Sequence, residues 1–120
     1  MARNNQEKGL WGEELAEKYL VEKGFEIITR RYRTRYGEID LIAKDNDVVV
    51  FVEVKARTLQ THGTPAEAVT PEKQRHLTKA ALQYLQKNTG MDVPCRFDVV
   101  EVYLSSRHIC HIPNAFDACM

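Results

Sequence analysis

The stretch Val48-Val49-Val50-Phe51-Val52-Glu53-Val54-Lys55 constrains this chain more than any other. It is β-branched or aromatic almost without a break, as in a strand buried on both faces. Such a strand belongs inside a sheet that other elements cover. Just before it, Asp45-Asn46-Asp47 supplies turn chemistry, since these side chains tolerate tight backbone geometry. Before that, residues 38–43 (EIDLIA) alternate apolar side chains around Asp40. Residues 38–55 therefore read as a β-hairpin.

The flanking segments fill in the layers. Trp11, Leu15 and Tyr19, with Ala16 and Leu20 beside them, give residues 6–23 the stripe of an amphipathic helix. Gly24 is placed to stop that helix at its C′ position. Residues 25–33 read as a first strand. Residues 57–69, containing Gly63 and Pro65, read as a loop. Thr70 and Pro71 form an N-cap and first helical residue. Leu77, Ala80, Ala81, Tyr84 and Leu85 then stripe a second helix to about Asn88. Residues 96–104 form another strand, and 107–112 are placed to add one more. The order α-β-β-β-α-β predicts one α/β domain over residues 1–120, a mixed central sheet flanked by helices.

Composition narrows the function. No apolar run approaches the roughly 20 residues that span a bilayer, and the polar start MARNNQEKG is unlike a signal peptide. The expected address is the cytoplasm, with no membrane partner. Formal net charge is +0, from 17 basic and 17 acidic residues, so bulk charge alone does not grip nucleic acid. Arg30, Arg31, Arg33 and Arg35 nevertheless fall within six residues, either as a solvated face or as a phosphate-binding one. The cysteines, Cys95, Cys110 and Cys119, are odd in number and lack disulfide-framework spacing. His108, Cys110 and His111 lack the second ligand pair of a zinc site and read as parts of a late strand.

Chemistry concentrates on the hairpin. Glu53 and Lys55 are two apart on one strand and so share a face. A two-residue loop pairing Lys44 with Asp47 would set Ala43 against Val48, Asp40 against Phe51 and Glu38 against Glu53. Asp40 and Glu53 would then be diagonal neighbours with Cβ atoms about 7 Å apart, close enough to share one cation. Mg²⁺ takes one or two carboxylates and keeps several waters. Asp40 and Glu53 would supply those oxygens, with the Val54 carbonyl as a third protein ligand. Lys55 could orient or deprotonate the attacking water, or stabilise charge on the phosphate. The plainer alternative is a structural Glu53–Lys55 ion pair at an exposed strand end.

Asp40, Glu53 thirteen positions on, then Val54-Lys55, resembles the D…ExK signature of the PD-(D/E)xK nucleases, although Ile39 stands where a proline often precedes the aspartate. A broader resemblance covers nearly the whole chain. GLWGEELAEKYL (9–20), GEIDLIA (37–43), VFVEVKAR (50–57), the K-x-x-x-L-x-x-A-A helix (73–81) and RFDVV (96–100) resemble the bacterial YraN family. Those proteins are predicted endonucleases similar to archaeal Holliday-junction resolvases. The resemblance implies a restriction-endonuclease-like fold, Mg²⁺ or Mn²⁺, DNA as partner with branched or otherwise structured DNA as substrate, and a homodimer. It also implies an acidic residue on the first helix that completes the site. Of Glu13, Glu14 and Glu17, Glu13 lies beside Ala16 and Leu20 at the edge of the apolar face, and it fits the family's G-E-x-x-A pattern.

Further residues carry two readings each. Lys73 sits in the first turn of the second helix, where a cation opposes the dipole unless a phosphate binds there. Arg57 extends the Glu53/Lys55 face and could hold a phosphate, as could Arg31, Arg33 and Arg35. Glu38 could pair with Lys55 or an arginine. Arg96 and Asp98 share a face and could pair with each other. Tyr32 and Tyr36 could pack, or stack on splayed bases. The alternative to an enzyme is a non-catalytic nucleic-acid-binding or adaptor module that keeps the fold.

Overall fold

A computed structural model describes residues 5–57, 69–89 and 92–118. Helix α1 spans Asn5–Glu22, followed by strands β1 (Glu26–Thr34), β2 (Gly37–Asp45) and β3 (Val48–Arg57). Helix α2 spans Pro71–Asn88, and strands β4 (Cys95–Tyr103) and β5 (His108–Phe116) complete the order. This fits the expected α-β-β-β-α-β core, and the extra strand is present. The loop expected over 57–69 lies mostly outside the described residues, although Arg57 itself ends β3.

The five strands form one sheet in sequence order. Only β3 and β4 run parallel; the other neighbours are antiparallel. A parallel pair needs a crossover, and α2 lies within it. The sheet has a helix against each face. Leu77, Ala80, Ala81, Tyr84 and Leu85 of α2 pack on Ile39, Ile42, Phe51, Phe97 and Val99. Ala16 and Leu20 of α1 pack on Leu41, Val50, Val52, Val100 and Val102. Alternate residues of β3 thus enter opposite cores, which explains its unbroken apolar run.

The helix ends follow from local chemistry. Gly24 adopts φ +97°, its amide donates to the Val21 carbonyl, and the Phe25 amide donates to that of Leu20. That is the paired bonding of a Schellman stop, at the glycine expected. Thr70 caps α2 by accepting from the Lys73 amide, with Pro71 first in the helix. Gly12 lies so close to β3 that an added Cβ would meet that of Ala56 at 2.7 Å. A side chain there would push α1 away from the end of β3.

The hairpin register differs from the expectation. Asp45 pairs with Val48, Ala43 with Val50, Ile42 with Phe51 and Leu41 with Val52. The two-residue loop is Asn46-Asp47, one position later than the Asp45-Asn46 loop expected. Two-residue hairpin turns need positive φ, and Asn46 supplies it at 55°. Asp45 stays in the strand, where it meets the Arg96 guanidinium at 3.1 Å. Each strand shifts by one residue, so parity is preserved and the predicted face survives.

Candidate active site

The paired ladder between β2 and β3 runs to Leu41 and Val52, and the next residue on each strand is Asp40 and Glu53. They are opposite in register rather than diagonal, since Ile42 has taken the place across from Phe51. The Asp40 carboxylate accepts a hydrogen bond from the Val54 amide at 2.8 Å. The Val54 carbonyl belongs to the same backbone segment. Glu38, expected to face Glu53, instead pairs in register with Arg33 of β1, whose Nε donates to it at 3.0 Å.

A twist in β1 shapes this end of the sheet. Arg30 and Arg31 are consecutive, yet both reach glutamates of α1: Arg30 binds Glu17, and Arg31 Nε donates to Glu13 at 3.0 Å. Regular alternation would send them to opposite faces. Arg31 breaks it with φ 51°, uncommon for a side chain of this size. Tyr32 then returns to the α2 side, edge-on to Tyr84 at 5.3 Å. On β2 the switch between the two cores falls at Asp40, between Ile39 of one cluster and Leu41 of the other.

Glu53 is 5% exposed. One oxygen, Oε1, lies 3.8 Å from the ammonium of Lys55 and 3.8 Å from that of Lys73. Those are ion-pair distances, too long for hydrogen bonds. The other oxygen, Oε2, is buried with no hydrogen-bond partner among the described residues. Burial pushes the Glu53 carboxyl above its ordinary range, against the pull of Lys73 and Lys55. Asp40 is pushed up to about 8, first by burial and then by the charge of Glu53; the Val54 hydrogen bond opposes this, and Glu13 adds to it. Two acids and two lysines thus meet at the strand end, with one carboxylate oxygen left bare.

Glu13 is near enough to act electrostatically on both acids, but its carboxylate is held by Arg31. Among the described residues no three His, Cys, Asp or Glu side chains form a ready cation cluster. The donor set that fits a divalent cation is therefore Asp40 and the bare oxygen of Glu53, two hard oxygens in a site whose acids resist ionisation without one.

The remaining expected contacts are dispersed. Arg57 is not free: its Nε donates to Glu101 at 3.3 Å, and the Tyr103 hydroxyl binds the same carboxylate. Arg33 is tied to Glu38, while Arg35, in the turn between β1 and β2, lies on the Tyr36 ring. Glu101 was missed in the sequence although the signal was there. It is a charge set among Val99, Val100 and Val102, sharing parity with the buried Phe97 and Val99, and it pairs in register with Lys55.

Arg96 and Asp98 do pair, as part of a larger hub. Asp98 is fully buried and accepts from Arg96 Nε at 2.9 Å, from the Asn114 amide at 2.9 Å and from His111 Nε2 at 2.8 Å. His111 Nδ1 lies 3.3 Å from the Tyr19 hydroxyl of α1. His111 and Cys110 therefore belong to β5 packing, and Cys95 and Cys110 are free thiols. Cys119 lies outside the described residues.

Fold and cluster together define a mixed α/β protein with an acidic, lysine-flanked site where two hairpin strands part. The chain belongs to the uncharacterised protein family UPF0102, whose model matches residues 12–102, a span holding every residue of the cluster. It is 47% identical over 113 residues to the UPF0102 protein of Clostridioides difficile (strain 630), covering 94% of this chain and 99% of that one. It is 48% identical over 114 residues to that of Syntrophomonas wolfei subsp. wolfei, covering 93% and 99%. Among solved structures, Pyrococcus furiosus SfsA in complex with Ca²⁺ aligns over 92% of this chain and 64% of its own. At a TM-score of 0.38 and 15% identity, that likeness carries no argument. No helix among the described residues is long and apolar enough to cross a membrane.

Proposed function

We propose that this protein is a divalent-metal-dependent endonuclease that hydrolyses DNA phosphodiester bonds, with branched or otherwise structured DNA as its substrate. The observation that carries the reading is the bare, buried Oε2 of Glu53 beside an Asp40 pushed up to about 8. A buried carboxylate without a partner costs several kcal/mol. A cation between the two acids removes that cost.

Asp40 and Glu53 would hold Mg²⁺ or Mn²⁺, with the Val54 carbonyl as a further candidate ligand. A bound cation supplies a water of lowered pKa and neutralises charge at the phosphate. Lys55 would orient the attacking water or stabilise the charge that develops on the phosphate. Lys73, on the first turn of α2, meets the phosphate from the other side, where the helix N-terminus adds its own positive end. Glu13 completes the acidic set when Arg31 releases it. Arg31, Arg33, Arg35 and Arg57 serve as backbone contacts, so substrate is recognised by shape rather than by base edges. The protein acts in the cytoplasm, and two cuts in a junction call for a homodimer.

One observation favours a different reading, a non-catalytic nucleic-acid-binding or adaptor module on the same fold. Glu13 is occupied by Arg31, which leaves two acids rather than three. Calorimetric titration of Mn²⁺ into the wild type and Asp40→Asn, without and with DNA, separates the two. Binding that is lost in the variant, together with cleavage of branched or flapped DNA by the wild type alone, is the expected result. Cleavage unchanged in Asp40→Asn would remove the site. No binding under either condition would favour the adaptor.

A further inference from the structure

A second feature lies along α2, away from the acids. The β1–β2 turn and the exposed side of α2 enclose a cleft of about 480 Å³ lined by Arg35, Tyr36, Lys79, Gln83, Gln86 and Lys87. Lys79, Gln83, Gln86 and Lys87 follow helical spacing, so they form one stripe. Among the described lining residues none is acidic, although acids and bases balance over the whole chain. At the centre is the Tyr36 ring, with the Arg35 guanidinium 4.9 Å and the Lys79 ammonium 5.6 Å from its centroid. Tyr36 also lines an adjoining cleft with Lys73, His76 and one acid, Glu38, whose carboxylate is held by Arg33. The cationic track therefore continues to Lys73, which faces Glu53 at the candidate active site.

We infer that this cleft binds one unpaired strand of nucleic acid and leads it to the acidic site. The inference rests on the nuclease reading for the direction of the track, and on the cleft's own chemistry for its occupant. Cations in a cleft whose described lining holds no acid select a polyanion. An aromatic ring among them selects one with exposed base faces, which duplex DNA does not present along its length. An unpaired base stacks on Tyr36 in place of one cation, which then turns to the adjoining phosphate. The glutamines offer neutral hydrogen bonds to sugar and base without a preference for sequence. Lys73 and Lys87 are about 21 Å apart along the helix axis, comparable to the smallest single-strand sites of about four nucleotides. The substrate class this predicts is DNA with a single-stranded arm beside the cleaved bond.

The test is fluorescence anisotropy with labelled dT12 and with a 12-base-pair blunt duplex, on the full chain in EDTA over a salt series. The wild type is expected to favour the single strand. Lys79→Ala with Lys87→Ala is expected to lower the salt slope by about 1.4, two phosphates at roughly 0.7 each. Tyr36→Leu is expected to weaken dT12 binding about fivefold or more while leaving the slope alone, since a lost base stack costs roughly 1–3 kcal/mol. These positions are at the surface, and circular dichroism verifies that each variant folds. Preference for the duplex, equal binding of polyglutamate, no binding at low salt, or variants that bind like wild type would each overturn the inference. Asp40→Asn keeps the cleft intact and is expected to bind dT12 normally. If dT12 binds as expected while no DNA is ever cleaved, the nuclease reading fails and the cleft stands.

Discussion

Two buried acid sites in this sheet are finished in opposite ways. Asp98 is surrounded by what it needs: the Arg96 guanidinium, His111 and the Asn114 amide occupy both of its oxygens. Burial alone would raise its pKa, but those hydrogen bonds outweigh it and hold the carboxyl below its ordinary range. Glu53 is buried with Asp40 half-buried beside it, and the pair has one protein amide, two lysines at 3.8 Å and an oxygen left bare. Both are raised. The same chain thus satisfies one acid fully and leaves the other pair unfinished. A sheet that can build the first has the means to neutralise the second. The incomplete site is where an external cation has something to supply.

The contrast is broken most directly at Asp98. Asp98→Ala should lower stability in urea unfolding by about 3–5 kcal/mol, because it removes the one acceptor shared by Arg96 Nε, His111 and the Asn114 amide, and each buried donor left unmade costs about 1–3 kcal/mol. A cost under about 1 kcal/mol would show that the hub holds nothing together. Asp40→Asn should do the reverse in cation-free buffer, raising the melting temperature by a few degrees, at about 4 °C per kcal/mol for a domain of this size. The amide still accepts from Val54 and ends the repulsion with Glu53. The gain depends on pH in a defined direction. A raised carboxyl contributes stability below its unfolded value near 3.8, and that contribution is lost as pH rises toward about 8. Asp40→Asn should therefore stabilise more at pH 9 than at pH 5, whereas the lowered Asp98 withdraws its stability only as pH falls into the acid range. Equal gains at the two pH values would mean that Asp40 ionises freely in the folded protein.

A smaller effect sharpens the same comparison. Cation binding to a protonated Asp40 must release the proton. Mn²⁺ affinity should then rise with pH by up to about tenfold per unit for one proton and level off near the Asp40 value of about 8. Calorimetry in two buffers of different ionisation enthalpy measures the proton directly. No released proton would place the cation elsewhere.

What the sequence made legible was whatever local chemistry decides. Gly24 stops α1 and Thr70-Pro71 starts α2 because both act within a few residues of themselves. The shared face of Asp40 and Glu53 was legible because parity survives an even change in register. The register itself was not, since Asp45 and Asn46 both suit a turn, and the choice went to the residue that tolerates positive φ while the other met Arg96. The long-range partners were hidden too. Nothing in Arg31 announces a left-handed backbone, and nothing near Asp98 in sequence names His111, thirteen residues away on another strand. Glu101 stood as a charge among three valines of β4, but only the parallel pairing of β3 and β4 brings it to Arg57.

The smallest predicted effect concerns the junction between completed and uncompleted acids, the Arg31–Glu13 pair. Arg31 is 36% exposed and Glu13 20%, so the pair is worth no more than about 1 kcal/mol. Arg31→Ala should therefore change unfolding stability by less than that. Yet the substitution frees a carboxylate whose charge already reaches both Asp40 and Glu53. If Glu13 belongs to the unfinished site and is held in reserve by Arg31, Mn²⁺ should bind Arg31→Ala several-fold more tightly. Arg31→Ala combined with Glu13→Gln should lose that gain. If affinity is unchanged in the single variant, Glu13 is part of the protein's own ion pairing, and the cation site consists of two acids. The pair then belongs with Asp98, among the acids the chain completes for itself.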